Sequence, residues 1–199
     1  MNIAFIPARC GSDAIKFKNI KLFCGKPLVY WCLKALHDSL DIDVIYVATD
    51  CNKIEDVVNE FKFPKVEIYR REAANATATA DTESVMLEFL SKNTFSPPDN
   101  FLLVQATNPF VLENDFTDAL KAMRESGYDS LLSCCRIKRF FWNENGTPLN
   151  YDYKNRPLRQ FFNGILVENG AFYINTVRNI IKDKNRLSGN IGIHEMPEY

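Results

Sequence analysis

IPARCGSDAIKFKNIKLFCGKPL, residues 6–28, carries an apolar stretch straight into a loop dense in cations and small polar residues, and its reading decides the fold. Residues 2–8 (NIAFIPA) read as a short apolar strand, and residues 27–40 (PLVYWCLKALHDSL) as a helix whose first position suits proline. Between them lie Arg9, Lys16, Lys18, Lys21 and Lys26, with Gly11, Ser12, Asn19 and Gly25. In an open α/β sheet, ligands gather beyond the carboxyl ends of the strands. A polyanion there meets cations, backbone N–H groups and a nearby helix N-terminus. A phosphate site and an ordinary solvated basic loop both fit this composition. The loop has neither the GxxxxGK(S/T) of a Walker loop nor the GxGxxG of a dinucleotide fold.

Outward from this segment the chain alternates strands and helices. Residues 43–48 (DVIYVA) are β-rich and lead into a helical pattern through Phe61. Asp50, between the two, reads as a strand-end carboxylate or as a cap for the helix starting near Asn52, and a structural role is adopted. Further strands are expected at 65–69, 101–105, 129–135, 170–174 and 190–196. Helices are expected at 81–92, at 113–126 and from about 175 to 184. This rhythm predicts an α/β fold, a Rossmann-like three-layer sandwich with a mostly parallel sheet.

The rhythm breaks at residues 136–163 (RIKRFFWNENGTPLNYDYKNRPLRQFFN), which are rich in aromatics, Arg, Asn and Pro and show no helical period. This segment reads as an inserted arm, with Asn145-Gly146 as a hairpin signal. Phe140, Phe141, Trp142, Phe161 and Phe162 would be costly in water, so they fit either a partner surface or packing on the parent domain.

Composition narrows the class. With 199 residues, 46% hydrophobic content and a formal charge of -1, the chain can build one sizeable core, and residues 1–199 are read as a single domain. Near-neutral charge argues against nucleic acid as a partner. No apolar run has membrane-spanning length and no leader pattern opens the chain, so no membrane association and a cytoplasmic location are expected. The six cysteines (Cys10, Cys24, Cys32, Cys51, Cys134, Cys135) show no CxxC spacing and read as reduced, mostly buried thiols. His37 and His194 stand too far apart in sequence for a zinc site or a Ser-His triad.

The wording of the opening segment resembles the N-terminal signature of the acylneuraminate cytidylyltransferases, the CMP-sialic acid synthetase family. Ile6, Pro7, Ala8, Arg9, Ser12, Ile15, Lys18, Asn19, Ile20, Gly25, Pro27 and Leu28 match it. Asp13-Ala14 stands where that family has Lys-Gly. Four later stretches extend the resemblance: Arg71 after the third strand with Ala80 and Thr82 at the next helix; LLVQATNPF at 102–110; RPLRQ at 156–160; and VENGAFYIN at 167–175. The family's Asp-Thr-x-Ser pattern is represented by residues 78–81 (ATAD), with Ala78 in place of the acid.

The resemblance implies a fold of the nucleotide-diphospho-sugar transferase type and a nucleotidyltransferase that activates an acidic nonulose, N-acylneuraminate or a relative, with CTP. The products would be the CMP-sugar and pyrophosphate. It assigns Ala8, Arg9, Ser12, Lys18, Asn19, Arg71, Ala80 and Thr82 to the nucleotide, with Arg9 and Lys18 as the catalytic cations. Gln105, Arg159, Asn169 and Tyr173 are assigned to the sugar. It makes 136–163 a dimerisation arm and the protein a homodimer. It also implies Mg2+ held by an Asp-x-Asp motif beyond Tyr199, so the C-terminal end of the family domain is expected to be missing and no metal ligand is assigned within the chain. A chain ending there, with Asp13, Ala14 and Ala78, is expected to bind CTP and turn over slowly. The alternatives are a 3-deoxy-manno-octulosonate cytidylyltransferase and a catalytically weak subunit that binds CTP and sugar.

Overall fold

The computed structural model describes residues 1–11, 15–77 and 80–198. In chain order these form β1 (Asn2–Pro7), β2 (Leu22–Phe23), β3 (Lys26–Pro27), α1 (Leu28–Asp38), β4 (Val44–Thr49), α2 (Asn52–Glu60), β5 (Val66–Arg70), α3 (Thr82–Lys92), β6 (Asn100–Val104), α4 (Glu113–Ser126), β7 (Ser130–Ile137), β8 (Ile165–Thr176), α5 (Val177–Asp183) and β9 (Ile191–Met196). Seven strands make one sheet in the order β5-β4-β1-β6-β8-β7-β9. β1, β4, β5 and β6 run parallel, β8 runs antiparallel to both its neighbours, and β9 pairs parallel with β7. The mostly parallel three-layer α/β fold expected from the sequence is the fold observed. Strand order reverses beside β1: the chain goes outward through β4 and β5, then returns to place β6 on the other side of β1.

Period-two alternation builds the two faces. Ala4, Ile6 and Ala8 of the β1 segment pack with α1, α2 and α4, while Ile3 and Phe5 pack with α3 and α5. On the second face Phe89 of α3 is fully buried, with its ring centroid 4.9 Å from Phe5, 4.7 Å from Tyr46 and 4.9 Å from Tyr69. Truncating such a ring to Ala typically costs about 3–5 kcal/mol. This cluster holds α3 against β1, and the cleft opens at the N-terminal end of the helix.

Several sequence expectations are corrected. Pro27 is the residue before α1 rather than its first position, because Lys26–Pro27 pairs with Leu22–Phe23 in a short hairpin. That hairpin turns at Cys24 and Gly25, whose φ values of 48° and 78° are those a tight primed turn requires. Helix α1 also ends earlier than expected, at Asp38, and leaves Leu40 exposed. Asp50 does not cap α2; its carboxylate accepts the Cys10 N–H at 2.8 Å. The strand expected at 170–174 is the second half of the 12-residue β8.

The arm is largely irregular. It contains an isolated Trp142–Pro148 bridge, a turn at Asn145-Gly146 in which Gly146 donates to the Asn143 carbonyl, and a short 3-10 turn at Arg159–Phe161. Its aromatics divide. Phe162 is buried and packs on Phe140 at 4.7 Å, whereas Trp142 and Phe161 are exposed.

Candidate functional site

β1 ends at Pro7 and runs on into Ala8 and Arg9 at the point where strand order reverses, and a cleft of about 510 Å³ opens beyond it. Arg9, Lys18, Asn19, Arg71, Ala80, Thr82 and Gln105 line this cleft together with Pro7, Asp81, Glu83, Val85, Ala106, Thr107 and Arg186. Seven of the residues singled out by sequence, from three separated stretches, therefore share one cavity. Four cations face two carboxylates around it, a balance suited to a polyanion.

The loop after β1 is fixed by hydrogen bonds between side chains and backbone. Asp50 holds the Cys10 N–H, and buried Asn19 donates its side-chain amide to the Arg9 carbonyl at 3.4 Å. Lys18 opens the 3-10 turn that carries Asn19, which follows Phe17 in the left-handed region at φ 53°. Ala8 is fully buried and lends its N–H to the Ala48 carbonyl, so it supports the loop from below. Ser12, Asp13, Ala14 and Ala78 lie outside the described residues. The Cys10 sulfur sits 2.7 Å from that of Cys51. Its hydrogen bond to Cys51 and its burial push the Cys10 thiol up to about 11, so it is no ready thiolate nucleophile.

Arg71 is pinned by its Nε bond to the Ala48 carbonyl at 2.9 Å and by its own N–H to the Thr49 carbonyl. Burial pulls its pKa down, the charges of Asp50 and Glu88 oppose that, and the nearby Arg9 charge adds to it. An arginine stays cationic through such a shift. The loop that carries Arg71 is organised by Glu88, which sequence reading passed over. Its carboxylate, 8% exposed, accepts from Tyr69 Oη at 2.6 Å, Asn75 Nδ2 at 2.6 Å and the Glu72 N–H at 2.9 Å. Burial alone would raise the Glu88 pKa, but these three donors outweigh it and hold the carboxyl below its usual range.

On the opposite side, Gln105 at the end of β6 donates its backbone N–H to the Ala171 carbonyl of β8. Asn169 and Tyr173 belong to that strand but do not line the cleft. Asn169 accepts from Ser133 Oγ at 2.7 Å beside the β7–β8 bulge and donates to Met196 Sδ. Tyr173 is 3% exposed, its hydroxyl donates to Glu168, and burial pushes its pKa up to about 12. Arg159 is exposed and lines a separate cleft on the arm with Arg139, Phe140, Arg156 and Glu198. The single chain thus does not bring Arg159 to Gln105.

Sequence reading missed Glu83 and Arg186. Glu83 Oε1 and Oε2 accept from Arg186 Nε at 2.6 Å and Nη2 at 2.8 Å across the cleft. Only spatial proximity across 103 positions reveals that pair. Both histidines have structural contacts: His37 stacks on Phe63 at 4.8 Å and His194 meets Asp115 at 3.0 Å. Among the described residues no group of three or more His, Cys, Asp or Glu side chains is arranged to hold a metal ion. Of the cleft's two carboxylates, Asp81 caps α3 through the Ser84 N–H and Glu83 is paired with Arg186, so neither fits a divalent cation as it stands.

Residues 3–163 match a family model described as cytidylyltransferase. The chain is 35% identical over 204 residues to an N-acylneuraminate cytidylyltransferase of Oncorhynchus mykiss, covering 98% of this chain and 46% of that protein. It is 30% identical to a CMP-N,N'-diacetyllegionaminic acid synthase of Legionella pneumophila, covering 92% of this chain and 81% of that one. The chain spans about half the length of the vertebrate relatives it matches. In fold it is similar to a CMP:2-keto-3-deoxy-manno-octonic acid synthetase complexed with CTP, with a TM-score of 0.71, 18% identity, and coverage of 99% of this chain and 90% of the other.

Proposed function

The chain belongs to the cytidylyltransferase family, and from that premise we propose that it transfers CMP from CTP to an acidic nonulose of the N-acylneuraminate class. The observation that carries the reading is the convergence of Arg9, Lys18, Asn19, Arg71, Ala80, Thr82 and Gln105 on one cleft at the strand-order reversal. In this reading the anomeric hydroxyl oxygen of the sugar attacks the α-phosphorus of CTP in line. The new O–P bond forms as the bond to the bridging oxygen breaks, pyrophosphate leaves with the electron pair, and the hydroxyl proton is released to solvent. Positioning and charge neutralisation provide the catalysis. Arg9 and Lys18 neutralise the phosphates, Asn19 holds the loop, and Arg71 with the Ala80–Thr82 backbone selects the pyrimidine.

Gln105 reads the sugar through an amide that both donates and accepts. We place Tyr173 and Asn169 behind it as support rather than as direct contacts. Arg159 reaches a sugar only from a second subunit, which fits the proposed homodimer through 136–163. The exposed apolar residues Trp142, Leu149, Tyr153, Leu158 and Phe161 support that interface. The proposed Mg2+ takes its carboxylates from outside the described residues and would offset charge on the triphosphate. No helix among the described residues is long and apolar enough to cross a membrane, and we propose a cytoplasmic location.

Pyrophosphate release from CTP and Mg2+ with N-acetylneuraminate, compared with 3-deoxy-manno-octulosonate, tests the assignment. Release with the first and not the second is expected. A preference for the octulosonate would replace the reading with its nearest alternative. That alternative stands behind because the likeness to the octonic acid synthetase, at 18% identity, speaks for fold alone. CTP binding without release from either sugar would assign the chain to the binding-subunit reading.

A further inference from the structure

Arg186 lies outside every stretch that carries the sequence signature, on the loop between α5 and β9. That loop is held firmly. Buried Asn175 donates to the Arg186 carbonyl at 3.2 Å and to Ser188 Oγ at 3.1 Å, and Ser188 exchanges hydrogen bonds with Ser130 at 2.9 and 2.7 Å. From this anchored base the guanidinium reaches across the cleft and engages Glu83, in the first turn of α3, through two parallel bonds of 2.6 and 2.8 Å. Glu83 directly follows Thr82 and the Asp81 cap, so it sits on the nucleotide wall. The same guanidinium carbon lies 4.9 Å from the centroid of the Tyr173 ring on β8, behind the sugar wall.

We propose that Arg186 is a positioning residue that locks the sugar wall of the cleft to its nucleotide wall through Glu83 and Tyr173. Capture of a substrate anion is the less fitting role, because Glu83 already compensates the charge through both carboxylate oxygens. General acid–base chemistry fits no better. The Arg186 hydrogen bonds hold the Glu83 carboxyl below its usual range, and Glu83 in turn raises Arg186. Side-on bidentate pairing supplies what a lock needs, a fixed distance and a fixed plane, and lysine cannot reproduce it. Both halves of this inference rest on the proposed function, the nucleotide half on its CTP site and the sugar half on its acidic-sugar reading.

The test is a double-mutant cycle on CTP affinity, measured by titration calorimetry without sugar on Glu83→Gln, Arg186→Met and the pair together. Each single variant is expected to weaken CTP about fivefold or more, and the double variant no further, because either change breaks the same link. Arg186→Lys should fall between wild type and Arg186→Met. In steady state Arg186→Met should additionally raise the sugar KM beyond the effect of Glu83→Gln, since it alone loses Tyr173. A merely structural pair would lower the melting temperature of the variants while leaving CTP affinity of the folded protein unchanged, and that result overturns the proposal. So do losses that multiply in the double variant, or a wild-type chain that does not bind CTP. Wild-type CTP binding without turnover of any acidic sugar would sink the functional reading, while the cycle still judges the lock.

Discussion

Replacing Glu88 by alanine should damage the cleft from a position that contacts no substrate. The Glu88 carboxylate is 8% exposed and accepts three hydrogen bonds, from Tyr69, Asn75 and the Glu72 N–H. A hydrogen bond to a charged group contributes about 1.5–3 kcal/mol, and a buried donor left unsatisfied costs about 1–3 kcal/mol. The three bonds share one acceptor group and so do not add fully, and part of their strength only offsets the burial of the charge. A net loss of about 3–4 kcal/mol follows, which for a chain of this size lowers the melting temperature by roughly 10 °C. Glu88→Gln keeps one acceptor oxygen but turns an amide donor toward other donors, so it should cost about half as much. Because residues 71–77 lose their anchor in both variants, CTP affinity measured below the transition should also fall several-fold. Scanning calorimetry and a CTP titration check both parts. A shift under about 2 °C for Glu88→Ala, with unchanged CTP affinity, would refute the claim that this carboxylate organises the Arg71 loop.

Three further outcomes are expected. Arg9→Ala and Lys18→Ala should each weaken CTP binding by tenfold or more while moving the melting temperature by no more than about 2 °C, since cleft cations contribute little to the core; wild-type affinity in both would remove the phosphate assignment. Glu83, Glu88 and Asp99 are all held below the ordinary carboxylate range, Asp99 chiefly by the N-terminal amine at 2.8 Å. Their depressed folded pKa values contribute stability that is present above the unfolded value near 4 and lost as pH falls through the lower folded values. The melting temperature should therefore hold from pH 7 to about 5 and drop below about 4. Glu88→Gln should have a shallower acid limb, and an identical limb would count against Glu88 as a contributor. Finally, Trp142→Asp with Phe161→Asp should yield a monomer by light scattering if the exposed arm aromatics form the subunit interface; a wild-type chain already monomeric at micromolar concentration would remove the dimer.

How much of this was legible in the sequence follows from which forces are local. β1, β4 and β6 could be read because each is a short apolar run bounded by turn residues, and alternation of Ile3, Ala4, Phe5 and Ile6 between the two faces needs no knowledge of partners. The loop beyond β1 was legible from the density of its cations and from its wording. The Leu22–Phe23 hairpin with Lys26–Pro27 was not, since two-residue strands carry no period and Pro27 imitates a helix start. Asp50 was read as structural, with a local cap among the options, because a carboxylate just before a helix often is one. Its actual partner, the Cys10 N–H, lies 40 positions away. Glu88 on an apolar helix, and Glu83 with Arg186, gain their roles only from long-range contacts that a single sequence does not display. Arg159 was assigned to the sugar by resemblance; within the single chain it lines a cleft on the arm, apart from Gln105.

In the proposed function one cleft, between the β1 loop and the start of α3, holds CTP. The measurement that tests it most directly is a calorimetric titration of the 199-residue chain with CTP and Mg2+, run in parallel with UTP and with Arg71→Ala. Saturable CTP binding, weaker UTP binding, and loss of that preference in Arg71→Ala is the predicted result. Equal affinity for both nucleotides in wild type and variant, or no binding of CTP at all, would contradict it.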